Sequence, residues 1–363
     1  MSPGFSPSDQ LRGVDIPDSF LQTLPKTNLL CHLDGSMRLE TFMELASDAG
    51  YDLPSSPEAV YNQFFPCGDI CQEHFTSFFD VTVPLMQTAE VLQRVAREAA
   101  LDAAAQSCWY LEVRFCPLRH QELNLGLDAA VEAVQKGLQE AIEQTGIKCG
   151  IIITGLRTID PSSSLELAEL AVKWKGKGVV AFDLAGTEKD NPAKRHQQAF
   201  YHLMNNNMNC TIHAGEGFGP ESIHDALHRC GANRIGHGTR LHEDADLLDW
   251  VNDNRIPLEM CVSSNVLTGV VKSASDHPLR YYLDMGLRVS LNSDNSLFTR
   301  TSLLEELRLA VDTFDFSLLE TETLLLNGFK SSFLPNSEKG ALTAKVLDRF
   351  HELRTEYDQK GQK

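Results

Sequence analysis

The feature that most limits the fold is an alternation. Eight short apolar runs, spanning 27–33, 108–115, 148–155, 178–184, 209–213, 234–238, 256–261 and 287–292, recur between longer segments of helical period. In segment 127–146, Leu127, Ala130, Val131, Val134 and Leu138 share one helical face, and segment 163–176 is expected to start from a serine cap. Strands that alternate with helices form parallel βαβ units, and eight of them imply a closed barrel more readily than an open sheet. The expected fold is therefore α/β, a (β/α)8 TIM barrel.

Two stretches exceed that plan. Segment 38–106 is longer than one crossover and reads as a helical insertion after the first strand, placed to cover the barrel mouth. Segments 317–335 and 339–357 read as extra C-terminal helices packed on the outside. Residues 1–24 are read as an N-terminal tail and 25–363 as a single domain, since no internal repeat or low-complexity segment divides the chain.

Charge narrows the partners. Fifty acidic residues against 32 basic ones give a formal charge of −18, with no basic cluster, which repels nucleic acid or an acidic membrane face and leaves a neutral or weakly basic small molecule acceptable. Nine scattered cysteines, an odd number, point to a reducing compartment. With no signal-peptide pattern and no apolar run of about 18 residues, the expectation is a soluble cytoplasmic protein. The sequence carries no mark of oligomeric state.

In such barrels the chemistry lies at the carboxyl ends of the strands. Run one ends in His32 and Asp34, run five in His213 and Glu216, run six in His237, and run eight in Asp294 and Asn295. Each has a plain alternative: a hydrogen-bonded polar group for His237, a cap for Asp294, a helix N-terminal carboxylate for Glu216. Together they place three histidines and three carboxylates at one mouth, the ingredients of a zinc site with one position open to water and a separate proton carrier. Glu216 suits the carrier, because Ala214 and Gly215 let the chain turn closely past His213.

Other groups look suggestive and read as structural. His224 and His228 lie one helical turn apart but lack the Glu of a zinc-protease motif, and they belong on an outward helix face. Cys67 and Cys71 have no partner pair, and Cys31 and Cys261 read as small core residues.

The motifs HLDGSMRLETFMELA, FDLAGTE, TIHAGEGFGPESI, RIGHGTRL, LEMCVSSNVLTG with a later HPL, and VSLNSDNSL occur in this order from about residue 25 to the C-terminal helices. In order and approximate spacing the chain resembles the adenosine deaminase family of metal-dependent amidohydrolases. The resemblance implies one zinc ion per chain bound by His32, His213 and Asp294. Glu216 would protonate purine N1, and His237 would orient and polarise the hydroxide that attacks C6. Asp34 would contact the ribose, Gly186 would offer its N–H to the ring, Asn295 would face N7, and His32 would border the substrate. The implied reaction converts adenosine or 2'-deoxyadenosine to inosine and ammonia, in purine salvage.

Two positions depart from the family pattern. Asn295 stands where the family usually has Asp, and Leu30 stands where it has its first metal histidine. Strand alternation puts residues 30 and 32 on one face and Cys31 on the other, so Cys31 does not replace the ligand. Two histidines and a carboxylate still make a viable catalytic zinc set. Leu30 nonetheless keeps open a catalytically impaired, nucleoside-binding relative; a deaminase of a related purine is a separate alternative.

Overall fold

The computed structural model describes residues 7–66, 70 and 72–360. Eight parallel strands pair in chain order, β1 (Lys26–His32), β2 (Cys108–Phe115), β3 (Lys148–Leu156), β4 (Val179–Ala185), β5 (Asn209–Ala214), β6 (Arg234–His237), β7 (Leu258–Met260) and β8 (Val289–Leu291). Past the end of β8, Asp294 closes the ring against β1: its amide donates to Leu30 and its carbonyl accepts from His32. This is the (β/α)8 barrel that the alternation predicts. Strand limits shift by one or two residues, and the last two strands shrink to three residues each. At β7 the expected run includes Pro257, which has no N–H to give a ladder.

The strands alternate between two environments. Leu29 and Cys31 of β1 join the continuous apolar layer between barrel and helices, whereas Leu30, equally buried, stands outside it on the inner side with His32. Much of the interior is ionic. Arg234 pairs with Glu112 and Glu259, and Arg114 pairs with Glu259 and Asp183, all fully or almost fully buried. Each of these buried charges is thus met by an opposite one, the condition on which such charges are tolerated.

The crossovers correct several expectations. The helix Pro161–Lys173 is capped by Asp160, whose carboxylate accepts from the Ser162 amide, with Pro161 at the first position; the serine expected as cap lies inside the first turn. Helix Leu127–Thr145 buries Ala130, Val131, Val134 and Leu138, while Leu127 is half-buried. The stretch read as an insertion over 38–106 divides in two. Ala89–Ala105 packs on β2 and on Leu127–Thr145 as an ordinary crossover helix, so the additional part ends before it. Residues 8–24 are folded rather than a free tail: Ile16, Phe20, Leu21 and Leu24 are buried, and Leu11 accepts from the Leu318 amide. At the other end, Leu318–Ser331 lies against both β8 and β1, and Asn336–Lys360 packs outside it.

Candidate active site

At the carboxyl ends of the strands a cavity of about 280 Å³ is lined by His32, Asp34, Gly186, His213, Glu216, His237, Asp294 and Asn295, every site residue that the sequence singles out. Its far wall comes from the added helical segment through Phe75, Phe79 and Val83. Phe79 meets the His32 ring edge-on at 5.9 Å, and both Phe75 and Phe79 pack on Phe298, which follows the β8 loop.

Local backbone explains how so many groups converge. His237 and Asp294 both hold left-handed φ, +62° and +58°, a conformation costly for residues with a Cβ and found where surrounding structure enforces it. Gly215 turns the chain between His213 and Glu216 at φ +70°, and a Cβ there would meet Ile223 at 2.4 Å. Gly35 leaves room for Asn295, whose side-chain oxygen a Cβ would strike at 1.9 Å.

Three of these residues form a donor set. His32 Nε2 and His213 Nε2 face each other at 3.1 Å, and Asp294 Oδ1 is 3.6 Å from His32 Nε2. That oxygen is buried without a hydrogen-bond partner, while Oδ2 accepts from Ser264 at 2.6 Å. Two imidazole nitrogens and an orphaned carboxylate oxygen within 4.8 Å of one another could hold a metal ion, and this N₂O chemistry fits zinc.

Electrostatics support the same function. Burial pushes His32 down to about 3, which keeps it neutral as a ligand must be. Burial opposes the charged form of Asp183, but His213 and Arg114 outweigh it and hold that carboxyl well below its ordinary range. Asp183 in return overcomes the desolvation of His213 and raises it. The two meet at Nδ1, 3.1 Å apart, so Asp183 orients His213 with Nε2 toward the cavity. Burial, reinforced by Asp294, raises Glu216 against the opposing pull of His237. Desolvation raises Asp34 to about 7, and its Oδ1 is also buried without a partner.

Four residues that sequence reasoning overlooks support this wall. Besides Asp183 these are Glu188, which accepts from the amides of Gly215, Glu216 and Gly217 at 2.8–2.9 Å; Asn265, 3.1 Å from Glu216 and 3.2 Å from His237; and His277, 3.1 Å from Asn265. All lie within the motifs named above, and their place in that order is the only signal they give. His224 and His228 are exposed on helix Pro220–His228, their rings tilted against each other away from the cavity, and Cys31 and Cys261 are buried. Cys67 and Cys71 lie outside the described residues. Among the described residues, no helix is long and apolar enough to cross a membrane.

Comparison with known proteins agrees with this geometry. The family model described as Adenosine deaminase matches residues 25–349. An adenosine deaminase of Mycobacteroides abscessus is 39% identical over 344 residues, covering 89% of this chain and 94% of that one. A probable adenosine deaminase of Dictyostelium discoideum is 38% identical over 88% of this chain, which spans 42% of that longer protein. Among solved structures, an adenine deaminase from Arthrobacter aurescens superposes with a TM-score of 0.82 at 26% identity, covering 91% of this chain and 98% of that one. An N6-methyl-AMP deaminase from Arabidopsis thaliana gives 0.81 at 26% identity, covering 92% and 98%. A Burkholderia ambifaria amidohydrolase with bound zinc shares the fold, with a TM-score of 0.83 at 22% identity over 93% of each chain. The chain belongs to the adenosine deaminase family, hydrolases of the amidohydrolase deaminase type.

Proposed function

We propose that this protein hydrolytically deaminates adenosine and 2'-deoxyadenosine to inosine and ammonia, a cytoplasmic step of purine salvage, with one zinc ion per chain held by His32, His213 and Asp294. The observation that carries this reading is the position of Glu216: a buried carboxyl with a raised pKa on the same cavity wall as the donor set, 3.7 Å from His237.

Zinc held by His32, His213 and Asp294 would activate water by lowering its pKa to about 7. The chain's residues do the rest. Glu216, whose hold on its proton burial strengthens, hands that proton to purine N1, which draws electrons from C6. His237 orients the attacking oxygen as it bonds to C6; the proton on that oxygen passes by way of Glu216 to the amino group, the bond from C6 to its exocyclic nitrogen breaks, and ammonia leaves a C6 carbonyl behind. Asp34, with an unpartnered oxygen at the cavity wall, accepts from a ribose hydroxyl. Gly186, at φ +96°, offers its backbone N–H to the ring, and Asn295 meets N7.

Leu30 favours one second reading, a relative that binds nucleoside but turns it over poorly. A phosphorylated substrate fits less well. Among the described residues Arg119 is the one arginine or lysine on the cavity wall, and Asp80 pairs with it at 2.9 Å, whereas phosphate needs cationic partners of its own. Ultraviolet-monitored turnover of adenosine, 2'-deoxyadenosine, adenine, AMP and N6-methyl-AMP, with and without added zinc, tests all of this. Adenosine turnover that depends on zinc is expected. A faster reaction with adenine or a nucleotide overturns the substrate, and binding without turnover supports the second reading.

A further inference from the structure

His237 can meet the reacting atoms in two ways. A neutral imidazole has a proton on one nitrogen and a lone pair on the other, so the ring nitrogen that faces the cavity either donates or accepts. The groups behind His237 decide between them.

The decision starts at a group that can only donate. The backbone N–H of Leu279 is 3.3 Å from His277 Nδ1, so that nitrogen presents its lone pair. Burial lowers His277 to about 3, so the ring is neutral and its single proton is on Nε2. Nε2 lies 3.1 Å from Asn265 Oδ1, and Thr239 Oγ1 donates to the same oxygen at 2.6 Å. With its oxygen claimed from that side, the fully buried Asn265 turns its NH₂ toward the active site, 3.1 Å from Glu216 Oε1 and 3.2 Å from His237 Nδ1. An amide nitrogen only donates, so His237 Nδ1 accepts. The remaining nitrogen, Nε2, then carries the proton, and it is the one 3.7 Å from Glu216 Oε2 at the cavity.

We infer that Asn265 and His277 are positioning residues that fix His237 as the Nε2–H tautomer, so that His237 meets the reacting atoms as a hydrogen-bond donor and not as a base. The role of His237 rests on the deaminase reading above; its tautomer does not. In this state His237 has no lone pair facing the cavity with which to take a proton, and proton transfer falls to Glu216. The same amide spends its second hydrogen on Glu216, so one side chain sets both the proton carrier and the donor beside it.

Nitrogen NMR of protein labelled with ¹⁵N-histidine, with His237 assigned by comparison with His237→Gln, tests this directly. The native protein should show a protonated Nε2 and a lone-pair Nδ1 at His237. Asn265→Asp puts a carboxylate oxygen where the donor stood, so the proton should move to Nδ1. That change withdraws a donor from the reacting atoms, which should lower kcat by about 10²–10³-fold with KM little altered. His277→Gln, which can still donate to Asn265, should keep the native tautomer, and His277→Leu should not. A native His237 protonated on Nδ1, or a folded Asn265→Asp protein with the tautomer unchanged, overturns the inference. If Asn265→Asp does not fold, the native spectrum and the His277 pair decide it. Protein that shows the Nε2–H tautomer but leaves adenosine unchanged refutes the functional reading and leaves this one standing.

Discussion

The amide of Asp294 donates to the carbonyl of Leu30 at 3.0 Å, so the residue that stands where the resemblance implies a metal histidine is hydrogen-bonded to the backbone of the proposed carboxylate ligand. Leu30 is fully buried on the inner side of β1, two residues before His32, and the barrel closes through it. The strand keeps the expected register: Leu30 and His32 share the inner side, and His32 reaches His213 at 3.1 Å. Loss of groups that merely support a ligand weakens metal binding about 10- to 100-fold, and a missing ligand should cost more. Leu30→His is therefore expected to tighten zinc by at least about tenfold in chelator competition, and to raise turnover most at low zinc. Equal affinities in parent and variant would show that three ligands already suffice.

Glu188 is the anchor of the loop that carries Glu216, the proposed proton donor. Its carboxylate accepts three consecutive amides, those of Gly215, Glu216 and Gly217, and it is almost fully buried. Glu188→Gln keeps the shape but replaces one accepting oxygen with a group that donates toward an N–H. Hydrogen bonds to a charged group contribute about 1.5–3 kcal/mol each, so the variant should lose at least that much stability in urea. A displaced Glu216 should lower kcat about 10²-fold, since catalytic placement tolerates little error. Stability lost with kcat intact would mean that Glu188 supports the fold alone.

How far the sequence reaches can be seen in the residues themselves. The eight strands are visible because each is an apolar run between turns, and six of the eight cavity residues because each is a His, Asp or Glu at such a run's end; Asn295 adjoins one of them, and Gly186 is reached only through the family resemblance. The support behind them is not. Asp183 lies inside β4 and looks like a stray charge in an apolar strand until Arg114 and His213 are placed beside it by strands far away in sequence. Asn265 sits in a short helix with no local mark of its four contacts. The left-handed backbone of His237 and Asp294 is imposed by tertiary structure, and residue type does not announce it. The folded segment 8–24 reads as a tail because its apolar residues are too few for a clear helical period, although Phe20 and Leu21 are buried.

Asp183 links the candidate metal centre to the ionic interior. It accepts a hydrogen bond from His213 Nδ1 at 3.1 Å and pairs with Arg114 at 3.2 Å, with all three residues buried. In Asp183→Asn one amide cannot accept from both neighbours with two oxygens, so either His213 loses its orienting partner or Arg114 faces an NH₂. Zinc affinity of the folded variant should fall about 10- to 100-fold, read by chelator competition. Breaking the buried pair should also cost about 3–5 kcal/mol of stability. An unchanged zinc affinity would remove Asp183 from the account of the site.

Burial raises Glu306 to about 7, although the Ser263 amide and hydroxyl oppose the rise and the amide lies only 3.3 Å from its carboxylate. The folded state therefore binds this proton more tightly than the unfolded chain, whose carboxyl has an ordinary pKa near 4.3. Between those values the folded protein holds more protons than the unfolded one, so stability from Glu306 is complete below about pH 4.3 and is lost as pH rises to 7. Every tenfold gain in proton affinity is worth about 1.4 kcal/mol, which makes the loss about 3–4 kcal/mol. Glu322, also raised to about 7 by burial, adds a change of the same sign. Lys26, lowered to about 7 by burial, acts above that value and with the opposite sign, because there the unfolded chain holds the extra proton. Comparing parent with Glu306→Gln isolates the first contribution. The two should be similarly stable in urea at pH 4, and the variant should become the more stable by pH 8. A difference that stays flat across that range would show that Glu306 titrates alike in both states.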